Sequence, residues 1–317
     1  MVLDWLWSVM EKRLHLCKKS PGKPTMEQAI SISIVIPARN EAAGLRRLLP
    51  GLVGLGLDAE ILVVDDGSTD DTAEVCAEYR VTRLRNHYAL GNGAAIKAGA
   101  RAAKGDVLIF MDADGQHQPE DIPRLLEKFA EGYDMVVGAR QSGSHAGAHR
   151  AVANDLFSRF ASWMVMQTVE DLTCGFRVAR ADRFRKFLYL LPNGFSYPTT
   201  ITMSFFRAGF SVGYVPIHTP RRIGSSHIRP LRDGVRFLLI IIKVGTLYSP
   251  QKLFLPISAG FFLTGLTYYL YTYWVSGRFT NMSALLFISA ILTFLIGIVS
   301  EQISALHYKG MEDDGRR

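Results

Sequence analysis

Cysteine is scarce: Cys17, Cys76 and Cys174 are the only three in 317 residues, widely spaced and without a CxxC pair. That count excludes a disulfide framework and a cysteine-built zinc site, and it fits reduced thiols. His145 and His149 stand four apart, but among Gly and Ala and without a nearby third ligand, so they are read as loop residues. Neither G-x-x-x-x-G-K-[ST] nor a complete G-x-G-x-x-G is present, which weakens P-loop and dinucleotide readings. Excess charge is also confined. Of the formal +7, residues 1–24 carry five bases against two acids and residues 221–243 six against one. The rest is almost neutral, so a diffuse nucleic-acid surface is excluded. A hydrophobic share of 48% excludes disorder.

The apolar residues are concentrated near the end of the chain. Leu253–Val275 runs 23 residues without a charge, and Ala284–Val299 adds sixteen before Ser300 and Glu301. A hydrocarbon core of about 30 Å needs roughly 20 helical residues. The first run fits directly; the second fits if it continues to about Leu306 with Glu301 at an interface or facing a partner. The eight-residue link Ser276–Ser283 makes the pair a hairpin. Bases cluster before and after it, from Arg229 to Lys252 and at Lys309, Arg316 and Arg317, so both termini are expected on the cytoplasmic side. Gly260, Gly265 and Gly297 would allow close helix packing and leave a homo-oligomer possible. Val235–Tyr248 is apolar, interrupted by Arg236, Lys243 and Gly245, and too short to span. An interfacial helix at the headgroups is expected there, with a buried helix closing the catalytic domain as the alternative.

Before that region the pattern alternates. Ser31–Ala38, Ala59–Asp65, Thr82–Arg85, Asp106–Met111 and Met135–Ala139 read as strands, the first β-branched and largely apolar as a buried parallel strand should be. Between them, Glu41–Leu55, Asp70–Tyr79, a segment behind Gly91–Gly93 reaching about Ala103, and Pro119–Ala130 read as helices. Such alternation predicts an α/β domain with a mainly parallel, doubly wound sheet, whose ligands sit beyond the carboxyl ends of the strands. The polar clusters fall at those ends: Pro37 to Glu41, Asp65 to Ser68, and Asp112, Asp114 and Gln116. Oxygen donors packed this closely suit Mg²⁺ or Mn²⁺ bridging to substrate phosphates. Lys97, behind the Gly91-Asn92-Gly93 turn, could meet an anion.

PARNE (37–41), DDGSTD (65–70), GNGAAIKAGA (91–100), DADGQHQPED (112–121), DLTCGFR (171–177) and RRIGSSH (221–227) occur in this order. The series resembles family 2 glycosyltransferases of the GT-A fold, a Rossmann-like, mainly parallel sheet. It is most similar to the polyprenyl-phosphate group that includes dolichol-phosphate mannose synthase and bactoprenol glucosyltransferase. The likeness implies inverting, metal-dependent transfer from a nucleotide-diphospho-sugar donor to a polyprenyl phosphate acceptor. Carried over by position, Pro37, Glu41 and Asp66 would line the nucleotide pocket, and Asp112, Asp114 and Gln116 would hold Mg²⁺ or Mn²⁺. Arg140 and Arg150 would grip the acceptor phosphate, with Asn154 one turn beyond Arg150. Arg221 opens the family's R-x-x-G-x-S-K near the donor diphosphate; here His227 replaces the final Lys and cannot supply a fixed charge.

Chemistry agrees at one point: a phosphate monoester, with a second pKa of about 6, is already anionic and needs a bidentate grip more than a base. Asp171 stands where relatives with hydroxyl acceptors keep a general base, and is expected either to act so or to orient the acceptor or an arginine such as Arg177. The expected organisation is a basic amphipathic segment (1–30), a GT-A catalytic domain (31–230), the interfacial helix (231–252), the transmembrane hairpin (253–308) and a cytoplasmic tail (309–317). Its place is the cell membrane, or the endoplasmic reticulum membrane in a eukaryote, as a multi-pass protein bound to membrane lipids. Two alternatives remain: a GT-A enzyme with another lipid or polysaccharide acceptor, and a non-catalytic membrane scaffold. Against a processive synthase, no tryptophan completes Q-x-x-R-W.

Overall fold

Val, Ile and Leu dominate the predicted strands apart from Thr82–Arg85, and a strand apolar on both faces is stable only between two helical layers. The computed structural model describes residues 30–140, 158–194, 196–219, 245–246 and 248–313, with side chains to residue 306. The expectations for the segment 1–29, for Arg150, Asn154, Arg221 and His227, and for most of the interfacial helix lie outside the described residues.

Five strands stand within a residue or two of their predicted places: β1 (Ile32–Ala38), β2 (Ala59–Asp65), β3 (Thr82–Arg85), β4 (Val107–Phe110) and β5 (Met135–Arg140). Two more follow, β6 (Arg177–Arg180) and β7 (Val212–Ile217), giving one sheet in the order β3-β2-β1-β4-β6-β5-β7. Every neighbouring pair is parallel except those made by β6, which runs antiparallel to both β4 and β5. β6 carries two arginines in four residues and has no alternating apolar pattern, so its place comes from the neighbours it pairs with.

Helices α1 (Ala42–Gly54), α2 (Thr72–Glu78), α3 (Asn92–Ala102) and α4 (Ile122–Ala130) follow strands one to four. α1 buries Leu45, Leu48, Leu49 and Leu52, and α4 buries Ile122, Leu125 and Phe129, the stripes that 3.6-residue periodicity requires. α3 is lined by small residues for a different reason. A Cβ on Gly99 would stand 2.3 Å from a Val35 methyl, so the helix lies directly on β1 and β2. α5 (Ala181–Arg185) and α6 (Tyr197–Arg207) complete the far layer, and residues 158–165 form a further short helix.

The two apolar runs form helices α7 (Pro250–Ser276) and α8 (Asn281–Asp313). α7 starts three residues earlier than expected because Pro250 suits a first helical position, where no intrahelical N–H is required. Ser258 Oγ donates to the Ala290 carbonyl at 2.8 Å, joining the two helices. Gly265 and Gly297 face Leu286 and Phe254 across the hairpin, whereas a Cβ on Gly260 would meet nothing. Most of the hairpin surface is exposed and apolar, including Phe262, Leu270, Ile291 and Val299. An uncovered surface of that kind belongs in lipid, and both helices are long enough to cross it.

Glu301, the acid within the second run, pairs with Arg207 at the end of α6 at 3.0 Å. Nearby, Ser304 Oγ donates to the Thr246 carbonyl at 3.2 Å. Tyr248 is buried against α6, with its hydroxyl 2.7 Å from Ser204 Oγ and 2.8 Å from the Thr200 carbonyl. These bonds fix the base of the hairpin to the sheet domain.

Candidate active site

The first two loops are tied into one frame. Asn40, in the left-handed region at φ 54°, receives the Thr69 N–H on Oδ1 at 2.8 Å and donates its own N–H to Ser68 Oγ at 3.0 Å. Asp70 accepts the Ala42 N–H at 3.0 Å, where α1 begins after Glu41. Asp65 accepts the Ser68 N–H at 2.7 Å and lies 3.4 Å from Arg83. Pro37 is half-buried near the end of β1, beside Val64 of β2.

Asp66 is buried and accepts the N–H groups of Leu90 and Gly91 at 2.9 and 2.8 Å, and the Asn86 amide at 2.8 Å. Burial alone would raise its pKa; those bonds and the charge of Arg39 outweigh it and keep the carboxyl below its ordinary range. The residue therefore shapes the loop before α3. Lys97, on α3, donates to the Leu191 carbonyl at 3.1 Å and to Asn193 Oδ1 at 2.5 Å. Those bonds make it a brace for the 191–194 loop. Burial, then the charge of Arg101, lowers its pKa.

Asp112, Asp114 and Gln116 follow β4 in a tight turn, where the Gln116 N–H reaches Asp114 Oδ1 at 3.1 Å. His117, which the sequence reading left without a role, supports this turn from below. Its Nδ1 accepts the Asp112 N–H at 3.0 Å, its ring stacks on Phe176 at 5.1 Å, and its Nε2 is 3.9 Å from Cys174 Sγ. Burial drives its pKa down to about 4, although Asp114 and Asp171 pull the other way. A neutral ring agrees with the geometry, because a nitrogen that accepts a backbone N–H carries no proton. The 3.9 Å approach of Nδ1 to Asp112 Oδ2 is therefore no ion pair. Burial and the charge of Asp171 push the Cys174 thiol up to about 12.

Gly175 supplies the space. A Cβ there would lie 2.7 Å from Asp112 Oδ2, so that carboxylate rests against bare backbone. If Asp112 is a ligand of the divalent ion expected from the sequence, Gly175→Ala should displace it and cost about 10- to 100-fold in affinity for that ion, the usual effect of altering a ligand's support. Titration of the folded variant with Mn²⁺, read by electron paramagnetic resonance, checks this; unchanged affinity would remove Asp112 as a ligand.

Arg140 and Asp171 form a closed clamp. Arg140 donates Nε to Asp171 Oδ2 at 2.7 Å and Nη2 to Oδ1 at 2.9 Å, and its backbone N–H reaches Oδ2 at 3.3 Å. The N–H groups of Thr173 and Cys174 fill Oδ1 at 3.0 and 3.1 Å. Burial would raise the Asp171 pKa, and the Arg140 bonds and charge outweigh it, so the group is a fixed anion. Its partner is Arg140; Arg177 lies elsewhere. Arg177 is fully buried, donating to the carbonyls of Cys174 and Pro198 and to Thr202 Oγ1. It thus fastens α6 to the 171–177 loop.

A 3-2-1-4-6-5-7 sheet with one reversed strand and an acidic turn after β4 defines the GT-A class of fold. Glucosyl-3-phosphoglycerate synthase from Mycobacterium tuberculosis, solved with Mn²⁺, UDP-glucose and phosphoglyceric acid, shares it with a TM-score of 0.54 at 23% identity, over 72% of this chain and 84% of that one. Residues 33–190 match the glycosyl transferase family 2 model, and residues 249–306 match the GtrB C-terminal hairpin. The chain belongs to glycosyl transferase family 2, and with its hairpin it is a membrane protein.

An undecaprenyl-phosphate 4-deoxy-4-formamido-L-arabinose transferase from Pseudomonas paraeruginosa is 37% identical over 190 residues, 53% of this chain and 55% of that protein. A second transferase of that name, from Klebsiella pneumoniae, is 36% identical over 161 residues, 47% of this chain and 48% of its own length. The chain thus spans about half the length of these relatives. Glycosyltransferase AglJ from Haloferax volcanii is 27% identical over 299 residues, 89% of this chain and 96% of that one.

Proposed function

We propose that this protein transfers a sugar, with inversion, from a nucleotide-diphospho-sugar to a polyprenyl phosphate at the cytoplasmic face of a membrane. The observation that carries the reading is the Arg140–Asp171 clamp, charged within range of the Asp112 carboxylate and built on the same domain as a lipid-spanning hairpin. The names of the Pseudomonas and Klebsiella relatives, both transferases to undecaprenyl phosphate, support the acceptor class.

Asp112, Asp114 and the Gln116 side-chain carbonyl offer oxygen donors, the kind a hard divalent ion takes, and the bare backbone of Gly175 leaves room for the Asp112 carboxylate itself. Among the described residues no three His, Cys, Asp or Glu converge on a metal position. Asp112, Asp114 and Gln116 would hold Mg²⁺ or Mn²⁺ beside the donor. When bound, that ion stabilises the charge developing on the departing nucleotide diphosphate. The phosphate oxygen of the acceptor attacks the anomeric carbon as the bond to the diphosphate breaks. No proton has to be removed, which agrees with an Asp171 whose oxygens are all engaged. Asp171 is then a positioning residue, and Arg140, with Arg150 and Asn154 from the neighbouring segment, orients the attacking phosphate. Pro37, Glu41 and Asp66 would line the nucleotide pocket, and the diphosphate contact expected of Arg221 and His227 falls outside the described residues.

Detergent-solubilised protein incubated with polyprenyl phosphate, Mg²⁺ or Mn²⁺ and a panel of nucleotide sugars is expected to form a glycolipid with one donor. The panel should include uridine diphosphate sugars and the 4-deoxy-4-formamido-L-arabinose donor. No glycolipid from any donor, in protein shown to be folded, would sink this reading.

A further inference from the structure

Asp112 is where the sheet releases the chain. Met111 still donates its N–H to the Val35 carbonyl of β1 at 3.2 Å, the last bond of the β4 ladder. The next donor must find a partner outside the sheet, because a backbone N–H shut away from water is rarely left unpaired. It goes to His117: the Asp112 N–H meets Nδ1 at 3.0 Å, five residues on. The rest of the turn is held by other means. The Ala113 carbonyl rests against Gly44 of α1, where any side chain would collide with it, and the Gln116 N–H closes back on Asp114 Oδ1 at 3.1 Å.

The imidazole that takes this N–H is itself locked. His117 is buried and stacks on the fully buried Phe176, with ring centroids 5.1 Å apart and planes 22° from parallel. With Nδ1 accepting, the ring proton sits on Nε2, which faces Cys174 Sγ at 3.9 Å. Cys174 in turn donates its N–H to Asp171 Oδ1 at 3.1 Å. The ring therefore stands between the acidic turn and the Arg140–Asp171 clamp. Both of its nitrogens are engaged on protein groups, so it holds a ligand in place and is not itself a ligand.

We propose that His117 is a positioning residue for the divalent ion. By accepting the Asp112 N–H it fixes the backbone from which that carboxylate is aimed, and it does so through one acceptor atom rather than through the bulk of its ring. The inference rests on the metal assignment within the proposed function. Two replacements separate the acceptor from the bulk. His117→Phe keeps a flat ring for Phe176 but offers no acceptor. His117→Asn gives up the ring but puts Oδ1 where Nδ1 stood, one bond from Cγ.

Full-length wild type and variants in detergent are titrated with Mn²⁺, alone and with uridine diphosphate, and bound ion is read by electron paramagnetic resonance beside a thermal melt. His117→Phe is expected to bind Mn²⁺ about 10- to 100-fold more weakly, and His117→Asn to stay within about threefold of wild type. The Asn variant should nevertheless melt lower, because it loses the stack on Phe176. Affinity that follows the acceptor while Tm follows the ring is a pattern that a merely structural residue does not give. In turnover, excess Mn²⁺ should restore His117→Phe with an unchanged acceptor KM, whereas Asp114→Ala stays inactive. Wild-type affinity in His117→Phe would overturn the proposal, as would losses in both variants that track Tm. Failure of every protein to bind Mn²⁺, wild type included, would remove the metal assignment and this proposal together. Mn²⁺ bound by wild type with no glycolipid formed from any donor would sink the transferase reading alone. Should His117→Phe fail to fold, His117→Gln takes its place: its acceptor reaches the Nε2 position instead, so it should bind Mn²⁺ as weakly, and wild-type affinity there would overturn the proposal equally.

Discussion

Asp114→Ala is expected to lower kcat by about a thousandfold, roughly 4 kcal/mol of transition-state stabilisation, with the fold intact. Asp112 and Asp114 stand two apart after β4, and in the proposed reaction a metal diphosphate would offset their repulsion. Without the ion, removing one carboxylate relieves that repulsion, so Tm should hold or rise while turnover collapses. The measurement is kcat at saturating donor over a series of Mg²⁺ and Mn²⁺ concentrations, beside a thermal melt of the same sample. A normal rate would remove Asp114 from the metal set. A fall in both rate and Tm would make it a structural residue of the turn.

Asp171→Asn is expected to cost both stability and acceptor use, for a single reason. Asparagine keeps the shape but must turn an NH₂ toward Arg140 or toward the N–H groups of Thr173 and Cys174, all of which donate. Breaking a buried pair costs about 3–5 kcal/mol, and the partial exposure of Arg140 puts this one near the lower figure. Acceptor kcat/KM should fall by about 100-fold, near 3 kcal/mol, through the loosened guanidinium. If Asp171 acts through Arg140, the double variant with Arg140→Ala should be little worse than either single one. A fully additive loss would give Asp171 a role of its own.

The acid limb of the stability curve gives an independent readout. The folded pKa of Asp171 lies below its unfolded value, near 3.9 for a free aspartate. Its contribution is therefore complete above that value and is lost as pH falls through the lower folded one. The stability gap between wild type and Asp171→Asn should narrow on acidification and be widest near neutrality. A gap independent of pH would contradict an ionised Asp171.

Much of this architecture was legible because the signals are local. Four of the five strands carried Val, Ile and Leu in short runs, and the helices between them carried apolar stripes, so neighbours in sequence specified them. The hairpin was legible for the same reason: 23 uncharged residues declare their solvent without help from the fold. β6 was not, because RVAR lacks any strand pattern and is placed by pairing with β4 and β5. Its reversal also carries Gly175 against Asp112, a contact between residues 63 positions apart in the numbering of the chain. The bonds of Lys97 were not legible either: sequence set it behind a Gly-rich turn, and only packing brought it to the 191–194 loop.

The sequence alone thus determined the solvent of each segment, the order of the layers and the acidic turn after β4, since composition and periodicity need no partner. Tertiary structure decided what the charges do. It spent Asp171 on Arg140, kept His117 neutral beneath Asp112, and set Glu301 on Arg207. A carboxylate or an imidazole has the same formula wherever it stands. Its protonation and its partner depend on burial and on donors brought from distant parts of the chain, and those exist only once the fold has formed.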